Sequence, residues 1–111
     1  MNILYVEDDQ QARKSLRVNL ELLGHQVMTA GSIAEANEVL AVNSFDRIIV
    51  DGTLRPGKDR NGIEFAEQLI RQGKKAVVFS ADTRYMPDGV PAVSKNEPGP
   101  LSLRIDKLLA L

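Results

Sequence analysis

The feature that most constrains this chain is an alternation between two kinds of segment. Short, almost wholly apolar runs take turns with stretches whose apolar residues recur every three or four positions. Ile3-Leu4-Tyr5-Val6, Arg47-Ile48-Ile49-Val50-Asp51 and Ala76-Val77-Val78-Phe79-Ser80 are the clearest runs. Runs this short and this apolar, rich in β-branched residues, read as strands buried on both faces. His25 to Ala30 reads as another strand, with His25 leading into it, and Val90 to Ser94 as a weaker fifth. Gln10 to Leu23 carries Ala12, Leu16, Leu20 and Leu23 on one helical stripe, and Gly24 is placed to end it. Ser32 and Glu35 form a capping box ahead of a helix over Ile33 to Val42. Gly62 to Gln72 turns Ile63, Ala66, Leu69 and Ile70 to one side, and Pro100 to Leu111 does the same with Leu101, Ile105, Leu108 and Leu109. Gly52 to Asn61 holds two Gly, one Pro and four charges, the composition of a loop.

Strands alternating with helices imply βαβ units, hence an α/β fold with a doubly wound parallel sheet. The 111 residues suit a single domain over 1–111. A chain of that length buries roughly two-thirds of its unfolded surface and needs no staple to fold. There is no Cys, which excludes disulfides and thiol chemistry and agrees with a cytoplasmic setting. The formal net charge is −1, with no basic run, so nucleic acid is not an expected partner. The start, Met-Asn-Ile-Leu-Tyr-Val-Glu-Asp-Asp, lacks the pattern of a signal peptide, and no apolar run approaches a membrane span.

In open sheets of this kind, sites lie beyond the carboxyl ends of the strands. There this chain places Glu7-Asp8-Asp9, then Asp51, then Ser80, then Lys95. Clustered carboxylates are costly to hold together without a cation, and hard oxygen ligands with room for water suit Mg²⁺. Asp8 and Asp51 are the expected direct ligands, with Glu7 acting through water. A phosphoryl group in transfer needs charge neutralisation and positioning, which Mg²⁺, the Lys95 ammonium and the Ser80 hydroxyl can supply. A carboxylate can itself be the nucleophile. Asp51, alone at the tip of an apolar strand with Gly52 beside it, is the expected phosphoacceptor.

These residues resemble the receiver domain of bacterial two-component response regulators over nearly the whole chain. Ile-Leu-Tyr-Val-Glu7-Asp8-Asp resembles the family's strand and acidic pair, and Arg47-Ile-Ile-Val-Asp51 its phosphoacceptor strand. Asn61-Gly62-Ile63-Glu64-Phe65 is similar to the D-G-x-E-F segment, Phe79-Ser80-Ala81 to the hydroxyl step, and Val93-Ser94-Lys95 to the lysine strand. The resemblance implies a flavodoxin-like sheet in the order 2-1-3-4-5. It implies a backbone carbonyl from Thr53 on the metal, and Thr53 and Asp82 at two variable positions that tune phosphoryl lifetime. It implies a sensor histidine kinase or histidine phosphotransfer protein as donor and a downstream protein as reader, with no catalysis beyond its own phosphoryl transfer and dephosphorylation.

Departures are equally informative. Arg55 stands where the family usually has Pro, and Asn96-Glu97-Pro98 follows the lysine where Pro is usual, so the cis bond often found there is not expected. The aromatic switch position is Ala92. Residues 81–91 contain Pro87, Gly89 and Pro91, so the helix usual between strands four and five should be short or absent. A degenerate receiver that only binds proteins is therefore the alternative. A phosphatase of the D-x-D-G-T type is disfavoured, because Ile49 occupies its nucleophile position. Plainer readings also exist. Glu7-Asp8-Asp9 suits the start of a helix, Arg55, Lys58 and Arg60 suit a solvated loop, and Met28 and Met86 suit packing.

Overall fold

The computed structural model describes residues 1–111. Its elements are β1 (Asn2–Val6), α1 (Gln10–Leu22), β2 (Gln26–Ala30), α2 (Ile33–Val42), β3 (Arg47–Val50), α3 (Asn61–Arg71), β4 (Ala76–Ser80), β5 (Ala92–Ser94) and α4 (Leu101–Ala110). The five strands are all parallel and run in the order β2-β1-β3-β4-β5. The expected doubly wound, flavodoxin-like sheet is what the chain forms.

Successive residues of a strand face opposite sides, and here both sides are covered. Leu4, Val6, Ile48, Val50 and Val78 pack under α2 and α3 against Ala36, Ile63, Ala66 and Leu69. Ile3, Tyr5, Ile49, Val77 and Phe79 pack under α1 and α4 against Leu16, Leu20, Ile105 and Leu108. The two faces need each other, because a parallel sheet exposed on one side would leave one of these rows in water.

Several boundaries differ from the sequence expectation for local reasons. Leu23 does not join the α1 stripe; it is the C-cap residue and is exposed, since the helix has already turned out after Leu22. Ser32 caps α2 by accepting from the Glu35 N–H at 3.1 Å, but the Glu35 carboxylate reaches back to the Gly31 N–H at 2.9 Å, one residue before the cap. Phe65 is buried in the core alongside the expected face of α3. β5 starts at Ala92 because the Val90 N–H bonds the Pro87 carbonyl in a turn and Pro91 has no N–H to give the ladder. The Pro91 carbonyl nevertheless accepts from Val78 N–H at 2.9 Å, so the ladder opens there.

Residues 81–91 contain no helix. Met86 and Val90 from this stretch pack against the α3 side of the core, covering apolar surface that a helix would otherwise cover. The peptide after Lys95 is trans, as expected, and the chain's cis peptide is Arg55–Pro56. At the far end of the sheet, the buried Arg47 donates from its guanidinium to the Leu109 carbonyl at 3.1 Å, a cation at the carboxyl end of α4 where the helix dipole favours it. No helix is long and apolar enough to cross a membrane.

Candidate functional site

The chain reverses direction across the sheet between β1 and β3, so the crevice at their carboxyl ends is where such a fold binds ligands. The three acids after β1 have separate positions there. Asp9 is the N-cap of α1, its carboxylate accepting from the Ala12 N–H at 2.8 Å. The helix-start reading is thus right for Asp9, and it leaves Glu7 and Asp8 for the crevice. Asp51 follows β3 directly, held in register by its N–H on the Val6 carbonyl at 2.9 Å. Oxygens of Glu7, Asp8 and Asp51 all lie within 4.8 Å of one another.

Glu7 is 1% exposed, the most enclosed of the three. Its Oε1 accepts from the Tyr5 hydroxyl at 3.0 Å and from the Lys95 ammonium in a close ion pair. Burial, and then the neighbouring Asp51 carboxylate, push the Glu7 carboxyl above its usual range, with Lys95 pulling the other way. Burial, reinforced by the Glu7 carboxylate, likewise keeps the Tyr5 hydroxyl protonated. Lys95 Nζ also lies 3.3 Å from Asp51 Oδ2 and sits over the Phe79 ring. Burial disfavours its charge, but the two carboxylates outweigh this and raise its pKa. One ammonium is therefore shared between two acids, in a place where none of the three is freely hydrated.

Around Asp51 a Cβ would collide with backbone at Gly62 and with a side chain at Gly52. A Cβ on Gly62 would lie 1.7 Å from the Asp51 carbonyl oxygen, and one on Gly52 would lie 2.7 Å from Ser80 Oγ. The first explains why α3 opens with Asn-Gly: its Gly62 N–H donates to the Gly52 carbonyl at 2.9 Å, docking the helix start on the turn after Asp51. The second brings the Ser80 hydroxyl against that same turn. Lys95 is set by its own N–H on the Ser80 carbonyl at 2.9 Å. Glu7, Asp8, Asp51, Thr53, Ser80 and Lys95 thus line one pocket, as the sequence suggested, joined by Arg55 and Asp82. A larger cleft at the opposite end of the sheet, beside Phe45, Arg47 and Lys74, has a single carboxylate, Asp46, already accepting from the Asn2 N–H at 2.8 Å.

Three contacts were not foreseen. Arg55 N–H donates to Asp8 Oδ2 at 3.2 Å, so the loop after Asp51 orients an acid from β1. Tyr5 and Glu7 meet because they are two residues apart on an extended segment; that spacing was the signal for it. Arg60 is not simply solvated: its guanidinium reaches the carbonyls of Arg84 and Tyr85, contacts across 24 and 25 residues that no local pattern announces.

A doubly wound sheet with two acids after β1, an acid after β3, a hydroxyl after β4 and a lysine after β5 defines a receiver-type domain. The chain belongs to the response regulator receiver domain family of two-component systems, whose family model matches residues 3–95. The aerobic respiration control protein ArcA of Escherichia coli K12 is 35% identical over 78 residues, covering 70% of this chain and 32% of ArcA. The swarming motility regulation protein RssB of Serratia marcescens is 44% identical over 57 residues, 51% of this chain and 26% of RssB. The chain thus spans about a quarter to a third of the length of these relatives. Among solved structures, the response regulator TrrA of Thermotoga maritima, in complex with Mg²⁺-BeF, superposes with a TM-score of 0.77 at 25% identity, over 96% of this chain and 97% of that one. The BeF₃-activated receiver domain of Klebsiella pneumoniae RstA shares the fold, with a TM-score of 0.79 at 24% identity and full coverage of both chains.

Proposed function

We propose that this domain accepts a phosphoryl group from a phosphohistidine donor onto Asp51, and that the modified domain binds a downstream protein differently. The observation that carries this reading is the Lys95 ammonium held between Glu7 and Asp51, with Asp8 alongside. In the transfer, an Asp51 carboxylate oxygen forms the new bond to phosphorus while the donor's P–N bond breaks and the imidazole leaves with that bond's electrons. Lys95 faces Asp51 Oδ2 and is placed to pair with the incoming phosphoryl oxygens. The Ser80 hydroxyl, next to the acceptor turn, can donate to another.

The donor set fits Mg²⁺: three clustered carboxylates, hard oxygens, at an open mouth with room for water. Asp8 and Asp51 would hold the ion directly, with the Thr53 carbonyl as a third protein ligand. Glu7, committed to Tyr5 and Lys95, would act through water or by tuning Lys95. Bound there, Mg²⁺ would neutralise charge on the transferring group. The domain's catalysis would extend only to its own phosphorylation and dephosphorylation. Its partners would be a sensor histidine kinase or a histidine phosphotransfer protein on one side and a downstream protein on the other.

Exposure to acetyl phosphate with Mg²⁺, followed by intact-mass analysis, tests this. One phosphoryl adduct is expected, absent in Asp51→Asn and absent without the metal. A clean wild-type mass after long exposure with the metal present would sink the reading.

A further inference from the structure

Arg60 stands outside the acidic pocket, yet it grips both loops that border it. Its backbone N–H donates to the Thr53 hydroxyl at 2.9 Å, and that hydroxyl donates to Asp59 Oδ1 at 3.0 Å. The Thr53 N–H in turn faces Asp51 Oδ1 at 3.4 Å. The side chain reaches the other way. Its Nη2 donates to the carbonyls of Arg84 and Tyr85, at 2.9 and 3.0 Å, and its Nη1 lies 3.9 Å from Asp82 Oδ2. Both ends of this bridge depend on left-handed backbone, with φ of 63° at Arg60 and 57° at Tyr85. In an extended chain successive carbonyls point to opposite sides; the turn at Tyr85 puts two of them on the side of one guanidinium.

The bridge falls where a switch is needed. Residues 81–91 have no helix to fix their shape, and Ala92 has no ring that could move inward toward Ser80. A phosphoryl group on Asp51 adds negative charge and acceptor oxygens beside the Thr53 N–H. Any shift of Thr53 displaces the backbone of Arg60, which carries the fork holding Arg84 and Tyr85. We propose that Arg60 is a positioning residue that couples the state of Asp51 to the turn at residues 82–85. The outer face of that turn is Tyr85, 87% exposed, the most exposed large apolar side chain of the domain. The coupling rests on the reading of Asp51 as the phosphoryl acceptor.

Arg60→Gly isolates the guanidinium, because glycine keeps the left-handed backbone and the N–H to Thr53. Hydrogen exchange is compared for wild type and Arg60→Gly, each with and without Mg²⁺ plus beryllofluoride. Without additives, the amides of residues 82–86 should exchange on the order of tenfold faster in the variant, because a turn no longer held through its carbonyls opens more often. With beryllofluoride, wild type should change at 52–55 and at 82–86, and the variant at 52–55 alone. Equal exchange of 82–86 in the two unmodified proteins would overturn the bridge, as would a full response of 82–86 in the variant. A wild-type response at 52–55 without one at 82–86 would overturn the coupling and leave the Asp51 reading standing. Silence at both would overturn the two together.

Discussion

The side-chain amide of Asn61 makes both backbone hydrogen bonds of Leu54, accepting from its N–H at 2.6 Å and donating to its carbonyl at 2.7 Å. Leu54 is buried in the core with Val50 and Ile63, so this pair pins the middle of the loop after Asp51 to the first residue of α3. An amide can both accept and donate; a carboxylate can only accept. Asn61→Asp would keep one bond and set a carboxylate against the Leu54 carbonyl. We expect it to lower stability by about 1–2 kcal/mol, read as a shift of the urea midpoint. A variant as stable as wild type would show that the carbonyl contact contributes nothing.

Gly62 is a second point of close approach. With a Cβ 1.7 Å from the Asp51 carbonyl oxygen, Gly62→Ala forces two backbones apart, and no rotamer can relieve it. The expected cost is at least about 2 kcal/mol, whereas Gly24→Ala meets no neighbouring atom and suffers only from its positive φ. Chemical denaturation of both variants gives the comparison. A Gly62→Ala loss no larger than that of Gly24→Ala would contradict the close approach.

How much of this was readable in the chain follows from how local each signal is. Strands β1, β3 and β4, the Ser32 cap and the acids at the strand ends depend on neighbours within a few residues, and they appeared where the pattern placed them, whereas β2 and β5 start one and two residues later than the pattern suggested. Glu7, Asp8, Asp51, Ser80 and Lys95 line one pocket at the carboxyl ends of a parallel sheet that the alternation implied, in a strand order that came from the family resemblance. The absence of a helix in 81–91 followed from Pro87, Gly89 and Pro91. Leu23 was misplaced because a stripe does not reveal where its helix stops. Arg60 read as a solvated loop cation because its partners are backbone carbonyls 24 and 25 residues away, and any residue can supply a carbonyl. The division of labour among three adjacent acids was also hidden, since only the cap geometry separates Asp9 from Asp8.

Asp82 offers a test in pH. A hydrogen bond from the Arg84 side chain, then one from its backbone, holds the Asp82 carboxyl down at about 2. A carboxyl depressed in the folded state lends stability that is present above its unfolded value, ~3.9, and lost as pH falls toward about 2. The group is exposed, so salt should weaken the effect. Carbon-detected NMR titration should give a midpoint near that depressed value in wild type. Arg84→Ala removes the side-chain hydrogen bond but keeps the backbone one, so it should return the midpoint only part of the way to ~3.9, and an unmoved midpoint would mean that the Arg84 side chain does not hold Asp82.

Lys95→Ala should separate two roles of one ammonium. Without it, Glu7 and Asp51 lose their shared cation, and Glu7 is left buried beside a like charge. Removing one partner of a buried pair costs about 3–5 kcal/mol. The Lys95 side chain is 26% exposed, so solvent screening should reduce this to roughly 1–3 kcal/mol. A divalent ion at the same carboxylates can replace much of the missing charge. Mg²⁺ should therefore raise the melting temperature of Lys95→Ala more than that of wild type, and bind it at least as tightly. Phosphoryl acceptance should move the other way, because the metal cannot also stand where the ammonium meets the transferring oxygens. On the proposed reading, the rate with acetyl phosphate should fall by about 10²-fold or more even at saturating Mg²⁺. Calorimetric Mg²⁺ titration and a time course of the intact mass give the two halves. If metal binding and phosphoryl acceptance fall in parallel, Lys95 serves only to shape the pocket, and its placement between Glu7 and Asp51 is structural.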